Sequence, residues 1–197
     1  MNLNHRGISL VEVLITAVLI GFLGLSFAAI YVTANRFFIQ DSTIVLSQGD
    51  ASFAVDHIRR KIMVANRLVR LTDAKVAFRY DPNPLTTTPT PPGDYRWAGY
   101  RLNGTSLEFV PNLGVAGTST PTEAQLDAAA SENPPVARGV VAPGGAVQWG
   151  KDPAPAIFTL EGGSGTLLLI DLTVQKVAGK ENRETHLTSR VSPRGIS

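Results

Sequence analysis

Hydrophobic positions along this chain fall into three regimes. From Ile8 to Asn35 apolar residues run almost unbroken, and the only charge is Glu12. A helix rises 1.5 Å per residue, so about 20 apolar residues cross the hydrocarbon core of a bilayer, and this stretch exceeds that length. After a polar interval, Val55, Ile58, Ile62, Ala65 and Val69 recur at spacings of 3, 4, 3 and 4, which is one apolar face of a helix. The pattern predicts an amphipathic continuation over 36–70, with Gly49 as the place for a break or bend. Beyond it, short runs of alternating and β-branched residues predict strands.

The sequence RWAGYRLNGTSLEFV reads as a hairpin, with Asn103-Gly104 as a pair that accepts positive φ at both turn positions. The last third reads as an antiparallel meander. Its strands are AIFTL, TLLLIDLTVQKV and ETHLTSRVSP, parted by EGGSG and GKEN. Residues 81–94 hold five prolines and four threonines and predict an extended loop. Thr120-Pro121-Thr122-Glu123 has the form of a capping box with proline at the first helical position. It predicts a short helix to Ser131, stopped by Asn133-Pro134-Pro135, and residues 136–156 are Gly- and Pro-rich with short strand candidates. The expected fold is α+β: a long N-terminal helix, half membrane-length and half amphipathic, packed on a C-terminal antiparallel sheet. The expected division is a leader over 1–7, an apolar helix over 8–35, its amphipathic continuation over 36–70 and a sheet domain over 71–197.

Composition narrows the classes. The chain has 197 residues, 44% hydrophobic and 17% charged, too apolar for a disordered chain and too polar for a multi-span membrane protein. Lys and Arg number 18 against 16 Asp and Glu, so the net charge of +2 implies no nucleic-acid partner by itself. The absence of cysteine removes disulfides, thiolate metal sites and cysteine nucleophiles together.

Three readings compete for the first 35 residues. The run is preceded by MNLNHRG, with His5 and Arg6 beside it, and positive charge on the short side keeps the N-terminus cytoplasmic and exports the rest. An ordinary cleaved signal wants an apolar region of about 7–15 residues and a small-x-small cut site. Ser26-Phe27-Ala28 or Val32-Thr33-Ala34 offers such a site, but the run is too long and carries a carboxylate near its start. A plain single-span anchor fits the length and leaves Glu12 unexplained, because an intramembrane charge costs a few kcal/mol and usually has a partner.

The third reading gives Glu12 a reason. The sequence RGISLVEVLITAVLIGFLG resembles the type IV prepilin signature. The resemblance implies that a dedicated prepilin peptidase/methyltransferase cuts between Gly7 and Ile8 and methylates the new N-terminus. Glu12 is then the glutamate retained at the fifth mature position, Ser9 stands where threonine is common, and Gly21 matches a glycine of the apolar stretch. Ile8 replaces the usual phenylalanine, and Ala29 stands where many major pilins carry a kinking proline, so a straighter helix is expected. The segment AVDHIRRKIMVANRLVR and the ending LTSRVSPRG are most similar to minor subunits of the PilW and pseudopilin J type, and the C-terminal cysteine pair of major pilins is missing. The implied partners are other pilin or pseudopilin subunits and, before assembly, the inner membrane. The implied topology is a single pass with the C-terminal domain periplasmic, and the implied product is a type IV pilus or type II secretion pseudopilus, with adhesion or DNA uptake among the tasks of such filaments. The rival class is a membrane-anchored exported binding module, with nucleic acid as a partner during uptake.

Electrostatics bears on Glu12 whatever the family. A cut after Gly7 creates a cationic amine at a helix N-terminus, which already carries partial positive charge. A carboxylate one turn in offsets both, on its own chain or a neighbour's; alternatively, Glu12 reaches the headgroups as a snorkelling surface charge. Ala17, Gly21, Gly24 and Ala28, at spacings of 4, 3 and 4, share one helix face that permits close backbone approach, although small residues are common in membrane helices anyway. Arg59, Arg60, Lys61, Arg67 and Arg70 crowd the end of the amphipathic half, as a solvated face complementing a helix C-terminus or as a polyanion site. Gly145 to Lys151 imitates a phosphate-binding loop, but Asp152 stands in place of Ser or Thr and prolines follow, so it reads as a turn. His5, His57 and His186 lie far apart, without metal-ligand spacing. No cofactor, metal or catalytic residue is predicted, and the chain is not read as an enzyme.

Overall fold

The computed structural model describes residues 9–83, 91, 93–147, 153–161, 167–178 and 181–193. The chain divides into two compact units, Met1–Ser42 and Thr43–Ser197. Helix α1 (Leu10–Met63) supplies what is described of the first unit and opens the second. The fold is α+β, with a long N-terminal helix and antiparallel sheets, as the sequence predicts.

In the second unit the α1 residues Ala51, Ala54, Ile58 and Ile62 are fully buried, at spacings of 3, 4 and 4. Gly49 produces no break. The helix runs through it, with Ser47, Ala51 and Ala54 buried on either side, and this packing outweighs the roughly 1 kcal/mol that glycine costs inside a helix. The helix stops at Met63, not at residue 70. Ala65–Thr72 is strand β1, paired with β2 (Lys75–Tyr80). The helical spacing of these strand residues has a physical origin. The register shifts between Ala65 and Arg67, so Ala65 and Leu68 are both buried, and a bulged strand imitates the period of a helix. Ladder bonds to β2 then decide the conformation, since propensity is a weak prior against tertiary pairing.

Two sheets cover the helix stripe. The first has the order β1-β2-β3-β4-β5, all antiparallel, with β3 at Arg96–Asn103, β4 at Ser106–Val110 and β5 at Ala137–Arg138. The second is the predicted meander of β6 (Phe158–Glu161), β7 (Leu167–Ala178) and β8 (Glu181–Val191). The sheet structure therefore begins at Ala65 rather than 71, and it is two sheets rather than one. Ile58 and Ile62 of α1, Phe78, Tyr100 and Phe109 of the first sheet, and Phe158, Leu168, Ile170 and Leu172 of the second belong to one buried cluster. A second cluster, with Trp97, Val110, Leu113 and Leu126, lies on the other side of the first sheet.

Polar ties fix the helix to the second sheet. Ser47 and Thr185 share a buried hydrogen bond of 2.7 Å, and Lys176 Nζ donates to Asp50 Oδ2 at 2.6 Å. The two sheets are joined through the backbone. Phe158 N donates to Asp73 O at 3.0 Å, Val140 bridges Val174, and Gln175 N donates to Gly139 O at 2.6 Å.

Two local signals were displaced by a residue or two. Asn103 pairs with Ser106, so the hairpin loop is Gly104-Thr105, and only Gly104 has positive φ, at 60°. Glycine at the first loop position is the pattern of the second primed turn class, in which the asparagine stays in the strand. Helix α2 (Glu123–Ala128) does have a capping box, but its N-cap is Thr122 and its reciprocal partner is Gln125. Thr122 N donates to Gln125 Oε1 at 2.8 Å; a glutamine at the third helical position completes the box as well as a glutamate does. The helix ends before Ser131. Most of the proline–threonine loop, much of the EGGSG and GKEN connections, and Trp149 to Lys151 lie outside the described residues.

Gly139 sits where the sheets meet. Its φ is +75°, and a Cβ there would stand 2.3 Å from Gln175 O. We expect Gly139→Ala to lower the urea-unfolding stability of the second unit by about 3 kcal/mol, from left-handed backbone strain and the clash together. A loss below about 0.5 kcal/mol would show that this junction is not fixed as described.

Candidate functional site

In the first unit α1 is a single helix whose large apolar side chains are exposed, from Leu10, Val11 and Val13 through Phe37 and Phe38. The apolar stretch from Leu10 to Asn35 is about 39 Å long at 1.5 Å per residue, enough to cross a hydrocarbon core of about 30 Å with some tilt. It is the one helix long and apolar enough to span a membrane among the described residues. Its hydroxyls suit that setting. Thr16 Oγ1 donates to Glu12 O at 2.7 Å, Ser26 Oγ to Phe22 O at 2.9 Å and Thr33 Oγ1 to Ala29 O at 2.8 Å. Each of these three hydroxyls is satisfied by the carbonyl four residues earlier, so none of the three enters an apolar medium unpaired.

Glu12 lies in the first turn. Its backbone N–H and that of Val13 donate to Ser9 O at 2.9 and 3.2 Å, so Ser9 starts the helix through its carbonyl. The carboxylate is therefore close to the positive end of the helix dipole. Gly7 and Ile8 lie outside the described residues. Ala17, Gly21, Gly24 and Ala28 share one face, and a Cβ at Gly21 or Gly24 would meet nothing within 4 Å. At about 100° per residue this face lies roughly 150° around the helix from Glu12. The carboxylate and the small-residue stripe address different directions.

The other candidates separate. Arg60 pairs with Asp56 at 2.6 Å in the last turns of α1, and Lys61 Nζ lies 5.0 Å over the Phe109 ring. Arg67 and Arg70 are on β1, where Arg70 pairs with Asp73. The run of basic residues is thus split between a helix end and a strand. His186 pairs with Asp171 across β7 and β8, while His57 is on α1, and no cluster of metal-ligating residues occurs among the described residues. Gly145 N donates to Ala142 O at 2.9 Å, which closes a turn ahead of the loop that resembles a phosphate binder.

One constellation has no sequence signature. Tyr100 Oη lies 2.9 Å from His57 Nδ1, and the His57 ring meets Tyr100 and Phe109 edge-on at 5.9 and 5.4 Å. A cavity of about 170 Å³ opens nearby, lined by Lys61, Phe78, Tyr80, Phe109, Pro111 and Glu132. These residues come from the end of α1, three strands and a distant loop, so only the sheet register reveals them. Burial lowers the His57 pKa below its ordinary 6.5, assisted by the charge of Lys61 and opposed by Glu132. Burial likewise pushes the Tyr100 phenol well above its usual range, which keeps it a neutral hydrogen-bonding group.

No protein-family model matches this chain, and no curated protein does either. Whatever is inferred about function rests on its own residues.

The His57 shift has a defined sign. Its folded pKa is below the unfolded one, so the unfolded state takes up more protons as pH falls through about 6.5 and stability is lost on the acid side. Between pH 7 and pH 5 the protein should lose more stability than a His57→Gln variant measured alongside it. Parallel curves for the two would exclude His57 as the cause.

Proposed function

We propose that this chain is a membrane-inserted subunit of a helix-packed filament of the type IV pilin kind, joined by its apolar α1 half. The observation that carries the reading is the membrane-length helix with one charge, a carboxylate, in its first turn. Further along α1, Val45, Leu46 and Phe53 are exposed while Ala51, Ala54 and Ile58 are buried, so apolar side chains remain for partners outside the membrane-length stretch as well.

The mechanism follows from charge. Before assembly the apolar half resides in the bilayer with its short basic side cytoplasmic. Removal of MNLNHRG after Gly7 frees an amine at Ile8, against the positive end of its own helix. In a bundle of helices that cation needs an anion, and Glu12 supplies one, to its own amine or to a neighbour's. The small-residue stripe, on the other side of the helix, allows a second neighbour to approach closely. Prepilin peptidase, sister subunits and the inner membrane are the partners this requires, and a minor position in a pilus or pseudopilus is the place we assign to it.

A mass spectrum of the mature protein tests the processing step: the chain should begin at a methylated Ile8. Ala29 or Asn35 as the first residue would establish an ordinary signal peptide and remove the reading. Assembly is tested separately. Glu12→Ala and Glu12→Gln should both insert and be cut, because neither makes the segment more polar than the carboxylate does. Both should be at least about a hundredfold depleted from sheared filaments relative to membranes, since an unpaired buried cation costs on the order of 3 kcal/mol and each 1.36 kcal/mol is tenfold. Normal incorporation of both would leave Glu12 as a snorkelling charge.

A further inference from the structure

The side of the first sheet away from α1 carries a row of basic residues, and its two ends are treated differently. At one end Lys75 is directly opposite Arg101, which is opposite Glu108. Helix α2 neutralises this end. Glu123 and Asp127 accept from Lys75 Nζ at 2.6 and 2.7 Å, and Arg101 donates to Glu108 at 2.9 Å and to the carbonyls of Leu126 and Asp127 at 2.6 Å. Burial works against the charge on Lys75, but its hydrogen bonds to Asp127 and Glu123 outweigh it and raise its pKa.

At the other end Arg67 of β1 stands directly opposite Arg79 of β2, and Arg79 stands opposite Trp97 of β3. Like charges facing each other across a ladder are destabilising, and here no carboxylate forms an ion pair with either among the described residues. The groups that hold them are neutral. Arg79 donates from Nε to Asn66 Oδ1 and from Nη1 to Gly117 O, both at 2.9 Å, with its guanidinium 4.9 Å over the Tyr95 ring. The Arg67 guanidinium lies 6.0 Å over Trp97, whose buried indole N–H also lacks an acceptor. The result is a pair of cations on facing residues, each over an aromatic ring, with Arg79 held by neutral acceptors, Arg67 exposed, and hydrogen-bond donors in excess. The basic run in the sequence alone lacked interleaved aromatic residues; strand register supplies them.

We propose that Arg67 and Arg79 form a clamp for a phosphate group. A carboxylate has two oxygens and is satisfied by a single guanidinium fork. A phosphate monoester offers three acceptor oxygens and up to about two negative charges, so it answers guanidinium groups on two facing residues at once. The phosphate is that of a small monoester; the backbone diester of a nucleic acid has, like a carboxylate, two free oxygens and one charge, and is the alternative that the test separates. This site is independent of the filament reading.

Trp97 is the reporter, because its ring lies beneath Arg67. The full chain in maltoside micelles, with Trp149→Phe so that Trp97 is the sole tryptophan, is titrated with sodium phosphate, with acetate and chloride at equal ionic strength, and with oligothymidylate. Phosphate should change Trp97 emission saturably, with a midpoint on the order of 1 mM, and acetate should not. Arg79→Ala and Arg67→Lys should each raise that midpoint at least tenfold, the second by losing the fork while keeping the charge. Arg67 is exposed, so its variant decides the matter even if Arg79→Ala fails to fold. Weaker binding of oligothymidylate than of phosphate supports the monoester, and tighter, salt-dependent binding of oligothymidylate would overturn it in favour of a nucleic-acid backbone. Equal responses to acetate and phosphate, no saturable response to phosphate, or variants that bind like the parent, would also overturn the clamp.

Discussion

The buried stripe of Ala51, Ala54, Ile58 and Ile62 is the seam on which the β structure of this protein is built. A helix hides one stripe of its surface against a sheet, and small residues at its near end let the sheet approach closely. Ser47 and Asp50, one turn earlier, take polar partners on β8 and β7. Without this seam the inner faces of both sheets, with Phe78, Tyr100, Phe109 and Phe158, would be exposed apolar surface. Junctions such as Gly139 against Gln175 are in turn required because both sheets must fold over a single stripe.

The same seam explains why the outer side of the first sheet has chemistry of its own. With the inner face given over to the core, charged residues of β1, β2 and β3 alternate outward and meet one another across the ladder. Helix α2 and the chain around it cover part of that face, burying Trp97, Leu113 and Leu126. Its acids and its C-terminal carbonyls reach Lys75 and Arg101. Glu108, held below the ordinary carboxylate range because hydrogen bonds from Arg101 and Asn103 outweigh its burial, completes that neutral end. A six-residue helix covers only so far, and Arg67 and Arg79 fall beyond it.

Legibility in the sequence followed the range of the interactions involved. The membrane-length helix, the meander and the hairpin strands depend on local period and turn chemistry, and all three were readable. Boundaries failed where a nonlocal contact chose between near-equal local options. Ala65 and Leu68 fit a helical face as well as they fit a bulged strand, and only pairing with β2 decides. Thr120 and Thr122 both begin plausible capping boxes, and the reciprocal bond from Gln125 selects the second. The cluster of His57, Tyr100 and Phe109, and the Arg67–Arg79 pair over Trp97 and Tyr95, could not be read at all. They unite residues from separate strands whose register is set by the whole core. Glu12 is conspicuous without any tertiary context as a lone charge in an apolar run, and the structure adds only that it lies in the first turn of α1.

The apolar half of α1 obeys a different rule from the seam. The hydroxyls of Thr16, Ser26 and Thr33 are satisfied by their own backbone, and the exposed large side chains are leucine, valine, isoleucine and phenylalanine with Tyr31. To such a helix, lipid tails and the flanks of other apolar helices are nearly equivalent surroundings, so burial alone does not drive it from one to the other. What distinguishes the two are terms that lipid cannot supply: close packing against small residues, and a fixed opposite charge. The stripe from Ala17 to Ala28 would, on the filament reading, offer the first and Glu12 the second, from opposite sides of the helix. On the filament reading, the carboxylate is the term that sets register, because an ion pair near a helix end is satisfied at one axial position, whereas a smooth apolar surface slides.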